Sequence, residues 1–345
     1  TGSGIIVGKS DTELLIATNN HVVQNADQLT VLFSADTEND EDKMVTAQVK
    51  GTDSSLDLAV IAVKLDDIPQ DVMDQIKVIE IGDSDEVNVG DWSIAIGNAL
   101  GYGQSVTFGI ISALNREVIL STDNGEITQN MIQTDAAINF GNSGGALLDE
   151  NGCLIGINSA KASSTGVEGM GYAIPINTAK SVIEDLMNQT TRTKADADKA
   201  GALGVHVTNV SEEARQMYNI PAGAYVYEVT DGSAAAEAGI KQGDIITKLD
   251  KTTISSMTEL LDRIQYYEAG ESVDVTIKRS GDNGYQEQVV TVTLQAKDTT
   301  DSSSQDEEST EEYQDEQSDD GDWMQSPDQS ETQPGRKATG FGYFF

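Results

Sequence analysis

Between residues 4 and 176 the chain is a succession of short β-branched and apolar runs, each ended by Gly, Asn or Asp. The runs cover 4–7, 13–18, 29–34, 58–63, 92–97, 105–114, 153–160 and 171–176. Many short strands separated by turn residues are typical of an all-β sandwich or barrel. We therefore expect a mainly β domain, closed by a helix that starts at Asn177 or Thr178 and ends at Met187.

A second unit begins near Gly201, after a polar stretch that has no apolar periodicity. It alternates strand-like and helix-like segments, which predicts a compact α+β module. The predicted strands are 204–207, 224–229, 244–249, 272–279 and 288–295, and the predicted helices are 211–218, 233–239 and 256–267. The expected division is a first domain at 1–190, a linker at 191–200, a second domain at 201–297 and a tail at 298–345.

Acidic residues dominate the charge of the chain, with 58 Asp and Glu against 21 Lys and Arg and a formal net charge of −37. Such a charge repels nucleic acid and acidic lipid surfaces, so nucleic-acid binding is excluded and the expected partners are proteins or peptides. The tail from 298 to 331 carries 14 acidic residues and no basic one, so we expect it to be disordered. The chain itself ends in the apolar segment 341–345.

No apolar run approaches the roughly 18 residues of a membrane helix. The single Cys153 cannot form an internal disulfide, so the fold must rely on its core. The chain enters a strand-like run almost at once, which suggests a fragment of a longer protein. Any membrane attachment is expected to come from an anchor upstream of Thr1.

Three side chains of the sequence are candidates for nucleophilic catalysis. His21 follows an Asn-Asn pair at a strand end, and Ser143 lies in the glycine-rich stretch GNSGG. Asp57 starts an apolar strand, where an unpaired carboxylate would be costly to bury; Asp53, in a polar turn, is the competing carboxylate. A serine nucleophile needs an imidazole base oriented by a carboxylate, and these residues supply that set.

TNNHVV, DLAV and GNSGG, in this order, resemble the HtrA (Deg) family of trypsin-like serine proteases. Further similar segments are GSGIIV at 2–7, AIGNALGYGQSVTFGIISAL at 95–114, QTDAAINFGNSGGALL at 133–148 and GINSA at 156–160. In the second unit, AGALGV at 200–205 and GSAAAEAGIKQGDIITKLD at 232–250 resemble a PDZ domain. The resemblance covers about residues 1–297.

The resemblance implies a double six-stranded β-barrel followed by a PDZ domain, and it assigns roles to single residues. Ser143 would be the nucleophile, His21 the general base and Asp57 the orienting carboxylate. The oxyanion hole would come from the backbone N–H groups of Gly141, Asn142 and Ser143. Loops 98–105 and 161–169 would control activation and specificity.

The resemblance also implies where peptides bind. The S1 pocket and the substrate strand would be formed by Ile138, Asn158, Ser159 and Ala160, with cleavage after small or medium aliphatic residues. In the PDZ domain, Leu203, Gly204 and Val205 would hold the carboxylate of a hydrophobic C-terminal peptide. No cofactor or metal is expected, because one usable His makes a zinc site improbable.

Two functions are compatible with these residues. The first is an ATP-independent serine endopeptidase that degrades misfolded proteins in the cell envelope, assembled as a trimer or a larger oligomer. The second is a catalytically silent chaperone or peptide-binding scaffold, because Phe140 stands where the family has Pro or a basic residue, next to the oxyanion turn. Family members also have a strand before GSGIIV, so a native protein that began at Thr1 would have an open edge on its first barrel. The terminal GYFF is expected either to dock in a PDZ groove or to fray.

Overall fold

The structure is a computed structural model that describes residues 1–24, 26, 28–36, 43–98, 103–122, 125–163, 169–281, 284–297 and 340–344. Residues 298–339 and 345 of the predicted tail lie outside the described residues, as do residues 99–102 and 164–168 of the predicted activation and specificity loops.

Two closed six-stranded barrels form the first unit. The first barrel contains β1 (Ser3–Lys9), β2 (Glu13–Thr18), β3 (Leu29–Phe33), β4 (Met44–Asp53), β5 (Leu58–Lys64) and β20 (Gly340–Phe344). The second contains β6 (Trp92–Gly97), β7 (Ser105–Thr122), β8 (Gly125–Thr134), β9 (Ala146–Leu148), β10 (Leu154–Asn158) and β11 (Gly171–Pro175). The helices here are α1 (Asn20–Val23), α2 (Gln70–Met73) and α3 (Ile176–Met187), with 3₁₀ turns at Leu65–Asp67 and Ala160–Ser163.

The first barrel is closed by a strand from the far end of the chain. β20 pairs in parallel with β3 along Leu29–Phe33 and with β1 at Ser3 and Gly4. The expected open edge is therefore filled. Residues 342–344 of the terminal GYFF are thus paired in the barrel, which differs from both expectations for this segment, a PDZ groove or a frayed end.

Strands β2 and β5 are apolar on both faces because each face meets a different core. Leu14 and Ile16 point into the first barrel, whereas Leu15 and Ala17 join a buried cluster that contains residues of both barrels. β5 alternates in the same way. α3 packs Ile176, Ala179, Ile183 and Leu186 onto the shared cluster, so the two barrels and the helix form one unit.

Four strands of the two barrels were not predicted from the sequence: β4, β8, the three-residue β9 and β20. β4 carries Thr46, Gln48 and Lys50 among its apolar residues, so it lacks a continuous apolar run. The closing helix starts at Ile176, slightly before the predicted Asn177 or Thr178, and Pro175 is its N-cap residue.

The second unit is an α+β module whose strands match the predicted ones closely. It contains β12 (Gly201–Ala202), β13 (Val205–Thr208), β14 (Ala224–Val229), β15 (Ile245–Leu249), β16 (Thr252–Thr253), β17 (Ser272–Gly281), β18 (Gly284–Thr293) and β19 (Gln295–Ala296). Its helices are α4 (Glu212–Tyr218), α5 (Ala234–Glu237) and α6 (Met257–Ile264). The main sheet has the order β13-β14-β15-β17-β18, so β13 is an edge strand.

The two units touch through the first barrel. Thr253 donates a hydrogen bond to Asp53 Oδ2 at 3.2 Å, and the hydroxyl of Ser54 donates to that of Ser255 at 3.2 Å. On α6, burial raises the pKa of Glu259, whose carboxylate accepts the N–H of Ser255 at 2.7 Å. The contacts of the second unit thus include the loop that leads to Asp57.

The predicted linker is also held in place. Arg192 bonds Glu271 at 2.6 Å, and its guanidinium carbon lies 4.0 Å from the centre of the Tyr267 ring. Of the helices that the structure describes, none has both the length and the apolar character needed to cross a bilayer.

Candidate active site

His21 and Asp57 are joined by two hydrogen bonds at the end of the first barrel. The imidazole Nδ1 of His21 lies 2.7 Å from Asp57 Oδ2, and the backbone N–H of His21 donates to Asp57 Oδ1 at 3.0 Å. His21 stands on the short helix α1, directly after β2, and Asp57 directly precedes β5, the neighbour of β2 in the sheet. Sheet pairing therefore brings together residues that are 36 positions apart.

The backbone of Asp57 is held as firmly as its carboxylate. Its φ of 55° is left-handed, a conformation that Asp tolerates better than most residues. Its carbonyl accepts the side-chain amide of Asn19 at 3.0 Å and the N–H of Asn20 at 3.1 Å. Asp53, the competing candidate, instead accepts the N–H of Leu56 and the hydroxyl of Thr253.

Ser143 lies in a turn of the second barrel whose shape depends on glycine. The N–H of Asn142 donates to the carbonyl of Asn139 at 3.0 Å, and Gly141, the third residue of this turn, has a φ of 99°. A positive φ at that position is the mark of a type II turn and favours Gly. Phe140, in the second position, is exposed and does not prevent this turn.

The turn leaves two N–H groups for an oxyanion, rather than the three expected. The N–H of Asn142 already donates to the carbonyl of Asn139. Within the described part of the chain, the N–H groups of Gly141 and Ser143 have no backbone acceptor outside the regular elements. Donors without a protein acceptor are what an oxyanion hole requires. We therefore restrict the candidate hole to Gly141 and Ser143.

The Ser143 turn packs against the strand end that carries His21. A Cβ atom added at Gly144 would meet the carbonyl of Ser3 and the hydroxyl of Thr18, and it would lie 3.1 Å from the N of Asn19. The Ser143 hydroxyl accepts the N–H of Ala160 at 3.1 Å. A proton-transfer contact between His21 and Ser143 remains a prediction.

The four predicted substrate-binding residues are all buried: Ile138, Asn158, Ser159 and Ala160. Their N–H groups from 158 to 160 are engaged, Asn158 with Gly145, Ser159 with Tyr172 and Ala160 with Ser143. The carbonyl of Asn158 accepts the N–H of Gly144 at 2.9 Å, so Asn158 supports the serine turn.

The predicted carboxylate-binding residues of the second unit lie where a peptide could add to the sheet. Leu203 is buried, Gly204 has a φ of 72°, and Val205 begins the edge strand β13. The carbonyls of Leu203 and Gly204 accept N–H groups from Ala235 and Thr230. This fixes the turn that leads into β13.

Ser3, Thr18 and Asn19 were not predicted as functional residues, yet they hold the site together. Thr18 donates its hydroxyl to the carbonyl of Ser3 at 2.6 Å, and Ser3 contacts the serine turn. All three lie inside the matching segments GSGIIV and TNNHVV, but their side chains have no chemistry that would single them out. Only their proximity to the Ser143 turn in the structure identifies them.

Comparisons with known proteins identify the family of the chain. Residues 2–157 match the family model of the trypsin-like peptidase domain, and residues 201–294 match that of the PDZ domain. The periplasmic pH-dependent serine endoprotease DegQ of Escherichia coli is 39% identical over 283 residues, covering 81% of this chain and 57% of the relative.

Two further relatives are serine proteases Do-like HtrA. That of Bacillus subtilis is 40% identical over 295 residues, covering 81% of this chain and 61% of the relative. That of Lactococcus lactis subsp. lactis is 36% identical over 296 residues, covering 81% of this chain and 68% of the relative. The chain thus spans less than two thirds of the length of the first two relatives. With both domain models matched in order and these identities, the chain belongs to the HtrA family of serine proteases.

Proposed function

We propose that this chain is an ATP-independent serine endopeptidase that degrades unfolded or misfolded polypeptide. The observation that carries the proposal is the 2.7 Å contact between His21 Nδ1 and Asp57 Oδ2, at a strand end packed against the Ser143 turn. A carboxylate on Nδ1 keeps the proton on that nitrogen and leaves Nε2 free to act as a base.

In the proposed reaction, Ser143 Oγ attacks the scissile carbonyl while His21 Nε2 takes the hydroxyl proton. The developing oxyanion accepts hydrogen bonds from the N–H groups of Gly141 and Ser143. His21 then gives its proton to the leaving amine, and a water molecule, activated in the same way, hydrolyses the acyl-enzyme. Asp57 stays ionised throughout and stabilises the imidazolium.

The proposed specificity is for small or medium aliphatic residues. Ile138 and Ala160 provide apolar surface beside Ser143, and the nearby Asp135 uses Oδ1 to accept the N–H of Ile110 at 2.7 Å. That carboxylate is thus committed to the backbone, which argues against a basic side chain in the pocket. Substrate entry requires Ala160 to release the Ser143 hydroxyl.

The second domain, at about 201–297, is proposed to bind hydrophobic C-terminal peptides. An extended peptide would add alongside the edge strand β13, with its carboxylate at Leu203, Gly204 and Val205. We further propose a homotrimer or larger assembly and a site of action outside the cytoplasm; relatives named as periplasmic, such as DegQ, support the location.

Hydrolysis of casein and of a peptide with Val before the scissile bond tests the proposed function. The wild type is expected to cleave both, and Ser143→Ala to abolish cleavage and labelling by a fluorophosphonate. Ser84→Ala is the matched control, because Ser84 is also buried but its hydroxyl accepts the N–H of Asn177 at the start of α3. Cleavage that persists in Ser143→Ala would overturn the assignment of the nucleophile.

The alternative function is a silent peptide-binding scaffold. It rests on a turn collapsed around Phe140 or on an incomplete first barrel. The type II turn at Gly141 and the closure of the first barrel by β20 argue against these two grounds. A wild type that binds hydrophobic C-terminal peptides, yet neither cleaves casein nor reacts with the fluorophosphonate, would favour the scaffold.

A further inference from the structure

Ser3 lies on β1 of the first barrel, but most of its polar contacts reach the second barrel. Its hydroxyl donates to the carbonyl of Gly141 at 2.7 Å and accepts the N–H of Asn98 at 2.8 Å. Its backbone N–H donates to the carbonyl of Ser143 at 2.8 Å. Ser3 has no exposed surface, so water cannot replace these bonds without rearrangement.

These contacts hold two peptide planes of the oxyanion turn. The carbonyl of Gly141 shares its plane with the N–H of Asn142, which closes the turn onto Asn139. The carbonyl of Ser143 belongs to the plane of the Gly144 N–H, which donates to Asn158 at 2.9 Å. The plane between them carries the N–H of Ser143. Ser3 therefore fixes both neighbours of a proposed oxyanion donor.

The same contacts bias the turn toward its type II form. A peptide flip that removes the positive φ of Gly141 would turn the Gly141 N–H away from its present direction. While the Ser3 hydroxyl holds the next carbonyl, such a flip must be absorbed by Phe140 and Gly141 alone. Without the hydroxyl, the Gly141 carbonyl and the Asn98 N–H lose a buried partner, and the turn is free to rearrange.

The Ser143 turn packs so closely on Ser3 and Thr18 that it can lie only in its present position. The carbonyl of Ser3 accepts the Thr18 hydroxyl at 2.6 Å, and a side chain at Gly144 would overlap both groups. The backbone of the serine turn therefore lies directly on Ser3, which is 138 positions away from Gly141 in the sequence.

We propose that Ser3 is a positioning residue for the oxyanion hole, through which the first barrel sets the conformation of the Gly141–Ser143 turn. The proposal rests on the proposed peptidase function and adds to it a residue that touches neither substrate nor the reacting atoms. Its effect should appear in transition-state stabilisation and not in ground-state binding of the substrate.

The test compares Ser3→Ala, Ser3→Thr and the control Ser84→Ala in the full chain. For each variant, kcat and KM are measured with a valine-containing peptide substrate, together with the inhibition constant of a peptide boronic acid ending in boro-valine. The boronate forms a tetrahedral adduct with Ser143 that uses the oxyanion hole. Thermal unfolding is recorded in parallel.

Loss of one oxyanion donor costs about 10²–10³ in kcat, so a misplaced turn in Ser3→Ala should cost about 10–100-fold. KM should stay within about twofold of the wild-type value. The inhibition constant of the boronate should rise by the same factor by which kcat/KM falls. Ser3→Thr keeps the hydroxyl and should recover most of kcat, while Ser84→Ala should match the wild type in all kinetic constants.

The proposal is overturned if Ser3→Ala retains wild-type kcat, if the boronate binds it as tightly as the wild type, or if Ser84→Ala loses as much activity. Should Ser3→Ala fail to fold, Ser3→Cys, which keeps the shape but is a weaker donor, is measured instead and must show the same parallel loss. An inactive wild type would contradict the proposed function itself. An active wild type with an unaffected Ser3 variant contradicts only the role of Ser3.

Discussion

In the first barrel the two site residues bind each other directly, whereas in the second barrel the nucleophile depends on residues from outside its own barrel. His21 and Asp57 lie at the ends of paired strands and share two hydrogen bonds. The Ser143 turn is held by Ser3 of the first barrel and by Asn158 of its own.

This difference separates two parts of the proposed catalysis. The proposed acid–base pair, His21 and Asp57, is organised within one sheet and should survive disturbance of the contact between the barrels. The proposed oxyanion turn needs a positive φ at Gly141 and the buried contact from Ser3 of the first barrel. It should therefore be disturbed more easily than the His21–Asp57 pair.

The largest effect is expected from Asp57→Asn, which breaks the pair in the first barrel. An amide in place of the carboxylate favours the wrong imidazole tautomer, and in serine proteases this lowers kcat by about 10⁴-fold. Asp53→Asn is the matched control, because Asp53 binds Leu56 and Thr253 instead of His21. Steady-state peptide hydrolysis measures both; equal losses would mean that the carboxylate has been misassigned.

Gly141→Ala tests the turn of the second barrel, and kcat should fall by about 10²–10³-fold as one oxyanion donor is displaced. The cause is the φ of 99°, which a residue with a Cβ adopts only with strain. Gly152→Ala is the control, because Gly152 has a φ of 81° with open space around its Cβ position. It should cost similar stability and leave kcat unchanged. A Gly141→Ala variant with wild-type kcat would contradict the assigned donor.

Deletion of residues 340–345 tests the closure of the first barrel. Removing β20 exposes the edges of β1 and β3. A loss of a few backbone hydrogen bonds, each worth about 1 kcal/mol, should lower the unfolding temperature by roughly 5–10 °C. The control deletes 310–315 and keeps the last residues. Equal unfolding temperatures for the two deletions would mean that β20 does not stabilise the barrel.

The smallest effect is expected from Glu259→Gln, where the PDZ domain contacts the first barrel. Burial raises the folded-state pKa of Glu259 above its ordinary value of 4.5, so ionising it at neutral pH costs stability. The cost disappears as the pH falls through that raised pKa, because the folded state then binds the proton. Glu259→Gln should therefore unfold at a higher temperature than the wild type at pH 7, and the gap should close near pH 4.

The exposed Glu237→Gln serves as the control for this variant and should follow the wild type at both pH values. A Glu259→Gln variant that is less stable than the wild type at pH 7 would show that the bond to Ser255 outweighs the burial of the charge.

Much of the fold was readable because apolar patterning is local. β2, β6 and β14 begin and end where the apolar runs do. β4 and β8 were missed because their partly polar faces hide them, and β20 was missed because its pairing with β1 and β3 joins opposite ends of the chain. Nothing in the local pattern of residues 340–344 selects a barrel edge instead of a peptide groove.

For the site, the sequence indicated three candidate reactive side chains, and the structure joins two of them directly. Of the three candidate oxyanion donors, Asn142 uses its N–H to bond Asn139, and this bond depends on the turn type, which the sequence does not specify. The roles of Ser3 and Asn19 stayed hidden because a serine or an asparagine in a strand end carries no distinctive signal.

By itself, the sequence determined which side chains are available for chemistry and which segments are apolar enough to become strands, since both are properties of residues and their neighbours. Only the tertiary structure decided which donors remain free around Ser143, how Ser3 reaches the turn, and which strand closes the first barrel. These outcomes depend on contacts between distant residues, and such contacts form only when the buried faces of both barrels pack together.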